Sequence, residues 1–233
     1  MEDASGMLLT GGDGQRFRFD AGTLCLEFLL SGAVEPWELL REPADLAAWV
    51  PLTRLGIEGP VTVGRGDLTA ARRLRAAIWR LAVRSAGAEG VPGVPAPIED
   101  PPEDPIREAG PPEGPIREAG PPEGPIQEAD LPVGGGEDDL RVLNAAASAP
   151  PPVPVIGAGL ERGWAYPVTA SQFLSAVARD AIDLFSGPRA ARVRMCAGGN
   201  CYLIFLDTSR PGARRWCSMS RCGNRQKLRT RRS

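Results

Sequence analysis

The sequence predicts an α+β chain in two parts: a mainly helical N-terminal domain that carries a β-hairpin, then a small module of knuckle, hairpin and helix closed by four cysteines. Three observations carry this. Near the N terminus apolar residues alternate with their neighbours at period two, first Phe17 and Phe19, then Leu24, Leu26 and Phe28. Over 67–86 and 170–185 they recur at helical spacing instead. Four of the five cysteines fall inside 192–233, in two close pairs. With 233 residues, 42% of them hydrophobic, the chain can build one moderate core and one small stapled module, so the expected domains are 1–187 and 188–233.

Taken in order, 15–20 and 23–30 are expected as the two strands of the hairpin, turning at Ala21-Gly22. Cys25 lies on the strand face opposite Leu24, Leu26 and Phe28, without a neighbouring ligand residue, and reads as a small buried hydrophobe. Short helices are expected over 37–41 and 44–50, because Pro36 and Pro43 suit first-turn positions and Pro51 ends the second. Trp37, Leu40, Leu46 and Trp49 would supply their buried faces. Asp67 should cap the next helix, whose stripe is Leu68, Ala71, Leu74, Ile78, Leu81 and Ala82 and whose stop is Gly87. Arg72, Arg73, Arg75, Arg80 and Arg84 then read as its solvated face.

From about 88 to 136 the composition changes. Pro, Gly and Glu dominate, and a ten-residue unit occurs three times, at 101–110, 111–120 and 121–130. One isoleucine per unit (Ile106, Ile116, Ile126) cannot bury enough surface to offset the entropy of ordering, so the insert is expected to be disordered. Helical structure should resume at Asp138 with Leu140, Leu143 and Ala147 facing inward, stop at Pro150-Pro151-Pro152, and cross in irregular or extended form to Tyr166. Thr169 or Ser171 can cap the last helix of the domain, which carries Phe173, Leu174, Val177, Ala181, Leu184 and Phe185 and ends at Gly187-Pro188.

In the C-terminal module Cys196 and Cys201 are separated by four residues, as are Cys217 and Cys222, with fifteen residues between the pairs. Two such pairs can close a tetrahedron around one Zn²⁺ ion, with sulfurs about 2.3 Å from the metal. Ala197-Gly198-Gly199-Asn200 lets the chain reverse between the first two thiols. The segment 202–206 reads as a strand, Pro211-Gly212 as the turn that returns the chain through Arg214, Arg215 and Trp216, and Cys222 as the start of a final helix, a treble-clef-like arrangement. An odd cysteine count without a secretory leader favours zinc over disulfides. Four thiolates leave a formal −2 centre, for which Arg214, Arg215 and Arg225 are the adjacent cations.

These residues also carry a resemblance. Asp207-Thr208-Ser209-Arg210, then Arg214-Arg215-Trp216, then Cys217 through Cys222-Gly223-Asn224-Arg225 resembles the CGNR zinc finger. In that family the finger follows an ABATE domain, named for stress-induced transcription regulation. The N-terminal part is similar to that domain at Leu24-Cys25-Leu26-Glu27-Phe28, Asp45-Leu46-Ala47-Ala48-Trp49, Arg72-Arg73-Leu74-Arg75 and Leu143-Asn144. The resemblance implies a DNA-binding regulator whose N-terminal domain senses a ligand or a partner.

Charge agrees with such a division. The chain's net −2 hides ten Arg, one Lys and one acid in 192–233, a local +10 that leaves −12 for the rest. Arg214, Arg215, Arg225, Lys227, Arg229, Arg231 and Arg232 are therefore the candidate nucleic-acid contacts, with duplex DNA as the expected partner. A protein-interaction or RNA-binding module with the same basic tail stands as the alternative. Catalysis is not expected: the chain has no histidine, Gly134-Gly135-Gly136 lacks a phosphate-loop lysine, and four cysteines would leave zinc no open position. No apolar run approaches the roughly 20 residues of a membrane span, and 1–12 lacks the pattern of a signal peptide, which makes the cytoplasm the expected location.

Overall fold

The computed structural model describes residues 6–11, 14–32, 38–88, 136–199 and 201–230. The repeat insert, Trp37, Arg231 and Arg232 lie outside the described residues.

The alternation of Arg16, Phe17, Arg18 and Phe19 does produce a strand, β2 (Arg16–Phe19), with both phenylalanines buried and both arginines exposed. Its partner differs from expectation. β2 pairs antiparallel with β1 (Met7–Thr10), in the register Thr10 opposite Arg16 and Met7 opposite Phe19. The segment 23–30 folds instead as α1 (Leu24–Phe28) and a single tight turn. Thr23 caps α1, and the Asp180 carboxylate accepts the Cys25 N–H at 2.8 Å. All five residues of α1 are buried, Glu27 included, so the alternation of Leu24, Leu26 and Phe28 distinguishes no inner face from an outer one.

A second correction falls at 38–41, which is not helical. The Glu38 carboxylate accepts the Leu40 N–H at 2.7 Å and pairs with Arg75, holding this stretch as an open turn. α2 (Pro43–Trp49) forms as expected, with Pro43 in its first turn and a reciprocal cap between Glu42 and Asp45. Its Leu46 and Trp49 are buried.

α3 (Asp67–Ser85), α4 (Glu137–Ser148) and α5 (Ala170–Phe185) pack on one another, with α1 against α5 and α3. Asp67 is the first helical residue of α3, and its carboxylate accepts the Gly64 N–H at 2.6 Å. The arginine face of α3 is not uniformly solvated. Arg75 is only 2% exposed, bonded to Glu38 at 2.9 Å and to the Ser31 carbonyl at 3.0 Å; Arg80 reaches the fully buried Asp139 on α4; Arg72 donates to the Leu40 carbonyl. On α4 Leu143 is buried, whereas Leu140 is exposed, since inward-turned Asp139 takes the place beside α3. Thr169 caps α5 in a reciprocal pair with Gln172, and Phe173 meets Phe28 edge-on at 5.8 Å.

The extended crossing contains a hairpin, β4 (Pro154–Ile156) with β5 (Arg162–Trp164). A short parallel pair, β3 (Val61–Thr62) with β6 (Val168–Thr169), ties the loop before α3 to the start of α5. The C-terminal module begins with β7 (Val193–Met195) and β8 (Ile204–Leu206), paired antiparallel, and closes with α6 (Asn224–Thr230). Its apolar side joins the main core. Phe205 meets Phe19 edge-on at 6.5 Å, the Leu206 N–H donates to the Ala21 carbonyl at 2.9 Å, and a Cβ on Gly22 would lie 2.8 Å from that of Leu206.

Candidate metal centre and nucleic-acid interface

The β7–β8 hairpin brings the first pair of thiols together. Beyond the last paired rung the Cys196 N–H donates to the Leu203 carbonyl at 2.9 Å, and the Cys201 N–H turns back to the Gly198 carbonyl at 3.1 Å. This is the expected knuckle, but β8 takes its strand partner from the chain before Cys196. The returning segment 207–217 stays outside the sheet and meets the knuckle through the Ala197 N–H, which donates to the Arg215 carbonyl at 2.9 Å, and through Cys217 at the metal site. The second pair brackets a widened helical turn, 219–223, with the Gly223 N–H on the Ser218 carbonyl at 3.1 Å, and α6 continues from it.

The four sulfurs of Cys196, Cys201, Cys217 and Cys222 lie within 4.8 Å of one another, and all four residues are buried. Cys201 and Cys217 are 3.8 Å apart, Cys217 and Cys222 3.5 Å. A tetrahedron with metal–sulfur bonds of about 2.3 Å has edges of about 3.8 Å, whereas a disulfide needs about 2.05 Å. The cluster therefore fits one structural zinc ion. The Cys217 N–H points at the Cys196 sulfur at 3.2 Å, the kind of outer hydrogen bond that stabilises a thiolate. Without a cation the four groups conflict over protons: hydrogen bonds with Cys201, Cys217 and Cys222 pull Cys196 down, and those with Cys196, Cys217 and Cys222 push Cys201 up. A divalent ion removes that conflict by favouring thiolate at every position. Gly198 is the close-approach residue here, since a Cβ on it would lie 2.9 Å from the Cys222 sulfur. Cys25, the fifth cysteine, is buried away from the cluster, and burial beside Asp180 raises its pKa well above the ordinary thiol range.

Asp207 organises the loop between the pairs. Its buried carboxylate accepts from the Ser209 N–H and hydroxyl at 2.9 and 2.6 Å and from the Arg214 N–H at 2.9 Å. Burial alone would raise its pKa, but these bonds and the Arg192 charge outweigh that and hold it below the ordinary carboxylate value. Composition marked this residue only as the lone acid of the tail.

The candidate cations divide. Arg214 is directed inward: it donates to the Cys217 carbonyl at 2.6 Å, the Trp216 carbonyl at 3.1 Å and the Asp20 carbonyl at 3.3 Å, and lies 4.0 Å over the Phe205 ring. Its contacts lie in the scaffold around Cys217, which accords with its reading as a cation adjacent to the thiolates. Arg215 is exposed beside the Trp216 ring, and Arg225 and Lys227 are exposed on α6. Arg229 belongs to α6 as well. Arg221, absent from the expected contacts, is 4% exposed and lies 4.8 Å over Phe17 of β2. Phe17, read only as a strand residue, thus supports the metal module from 204 residues upstream.

No helix among the described residues is long and apolar enough to cross a membrane. Residues 22–188 match the family model of the ABATE domain, described as a "putative stress-induced transcription regulator", and residues 192–233 match that of the CGNR zinc finger. No curated protein matches the chain.

Proposed function

Because the chain belongs to the ABATE family and ends in a CGNR zinc finger, we propose that it is a DNA-binding regulator in which Cys196, Cys201, Cys217 and Cys222 ligate one zinc ion. The ion holds α6 against duplex DNA. The observation that carries this reading is the sequence of parts at the last cysteine. Cys222 sits in the turn that launches α6, so the buried centre fixes the origin and direction of a helix whose exposed side holds Arg225, Gln226 and Lys227, with Arg229, Arg231 and Arg232 following in the sequence. Cations presented from a metal-anchored helix suit a phosphate backbone, and Gln226 has the amide that reads adenine edges. Arg215 adds an exposed cation beside the metal site. In this reading the helical N-terminal domain senses an effector or a protein partner, and the contacts of Phe19 and Gly22 with β8 transmit its state to the finger.

Duplex DNA, RNA and heparin titrated across a salt series provide the test. Selective duplex binding supports the reading, whereas equal binding to all three polyanions favours the interaction-module alternative. Neutralising Lys227, Arg229, Arg231 and Arg232 together should leave zinc content intact and flatten the plot of log affinity against log salt by roughly 0.9 for each phosphate no longer neutralised. Wild-type affinity and slope in that variant would remove the tail from the interface.

A further inference from the structure

The segment between the two cysteine pairs borders a cleft of about 510 Å³ beside the metal centre, within the range of roughly 300–1,000 Å³ typical of small-ligand sites. Pro211 and Ala213 line it from the loop, Trp216 and Met219 add an indole and a thioether, and Arg215 and Ser218 supply polar groups. Arg215 lies 5.3 Å from the centroid of the Trp216 ring, and its guanidinium has no acceptor among the described residues. Met219 is 54% exposed, an apolar side chain turned to solvent rather than to the core. Gly223 makes room for this wall: a Cβ there would lie 2.8 Å from the Met219 sulfur and 3.4 Å from the Trp216 ring, so a larger residue would displace the thioether. The turn that carries Met219 is also held from outside the finger. The Gln15 side chain donates to the Ser220 carbonyl at 3.3 Å, and Arg221 lies over Phe17.

We propose that this cleft receives one unpaired nucleotide, its base against Trp216 and Met219 and its phosphate on Arg215. The inference rests on the DNA-binding reading above for the source of that nucleotide, a DNA strand. Three features select this chemistry. Every nucleobase has a polarisable π-face, which suits walls made of an indole and a thioether. A guanidinium that rests on an aromatic ring and has no protein acceptor is poised to grip a phosphate with two N–H groups. Met219 opens the turn from which α6 departs, so the cleft and the helix of the DNA-binding reading are joined within one turn. A paired base keeps both faces stacked on its neighbours and cannot enter such a cleft, so the site selects a bulged, mismatched or single-stranded position. A free mononucleotide has the same chemistry, and the experiment separates the two sources.

The experiment titrates the full-length zinc-loaded chain with a mixed-sequence DNA duplex, with the same duplex carrying one unpaired adenine nucleotide at its centre, and with dAMP. Wild type is compared with Met219→Ala, with Ala213→Phe, which fills the cleft from the loop side, and with Arg215→Gln. Zinc content and thermal midpoint serve as fold controls. Wild type is expected to favour the bulged duplex by about five- to thirtyfold, the effect of stacking one base on an aromatic wall. Met219→Ala and Ala213→Phe should reduce that ratio to about one, and Arg215→Gln should weaken binding of the bulged duplex more than that of the paired one. Binding of dAMP that Ala213→Phe abolishes, without a preference for the bulge, would keep the nucleotide cleft and make a free nucleotide its ligand. Equal affinity of wild type for the two duplexes, with no binding of dAMP, would overturn the cleft and leave the DNA-binding reading standing. A preference for the bulge that survives Ala213→Phe would also overturn it, since the base would then lie elsewhere. Absence of binding to either duplex would overturn the DNA-binding reading, and dAMP alone would then decide the cleft. Should either cleft-wall variant lose zinc, the other decides.

Discussion

At the scale of single residues, the metal site and the buried charges make opposite demands on sequence reading. The thiols announce themselves by spacing, and their expected behaviour follows from the geometry. Cys217→Ser should release the zinc and unfold 196–223, because metal binding supplies on the order of 10 kcal/mol to a small site of this kind, while Cys25→Ser should retain one zinc per chain. Metal analysis of the two purified variants checks this. Arg75 lacks so loud a signal. It stands among five arginines of α3 that look alike in composition, but it follows Leu74 and precedes Ile78 by three residues, which places it on the apolar stripe. That position was the clue, and the partner, Glu38, could not be read from a segment that looked helical. Removing one member of a buried pair leaves the other uncompensated, so Arg75→Ala should destabilise the chain by about 3–5 kcal/mol, measured by denaturant unfolding. Arg73→Ala, on the same helix, should cost far less.

Among the elements, the long periodic ones were legible, and a short one was legible where a proline or a clean alternation marked it, as in α2 and β2. Nineteen residues of α3 and sixteen of α5 give a stripe several turns long, against which a strand has no competing pattern. α1 has five residues and is buried all round, so no period exists in it to be recognised; the strand expectation there followed from three apolar residues at spacing two. β1 escaped for a different reason: Met7, Leu8 and Leu9 do not alternate, and only pairing with β2 makes them a strand. α3 and α4 also bear on the repeat between them. Arg80, in the second half of α3, and Asp139, near the start of α4, are ion-paired, so the two flanks of the insert are held directly to each other. Deleting 101–130 should therefore leave the thermal midpoint and zinc content nearly unchanged, since shortening such a loop alters only a slowly varying closure entropy. A fall of many degrees in the melting curve would show that the repeat packs on the domain.

For the whole molecule, the division into a helical domain and a separate finger understates how far the core is shared. Phe19, Ala21 and Gly22 touch β8, and Arg214 holds the Asp20 carbonyl beside the Cys217 carbonyl. Sequence alone could not show this, because contacts between residues some 200 positions apart leave no local periodicity. Gly22 has φ +89°, a left-handed conformation, and no space for a side chain. Gly22→Val should consequently weaken zinc retention in a chelator competition although all four cysteines remain, and an unchanged off-rate would show that the finger is autonomous. The bond between Gln15 and Ser220 has a further consequence for synthesis. A chain leaving the ribosome exposes its β1–β2 ribbon early, but the surface that covers Phe17 does not exist until residue 221 has emerged. The ribbon therefore waits with an aromatic face uncovered until the turn at 219–223 has been made, some 200 residues later, so its burial is coupled in time to the assembly of the metal site.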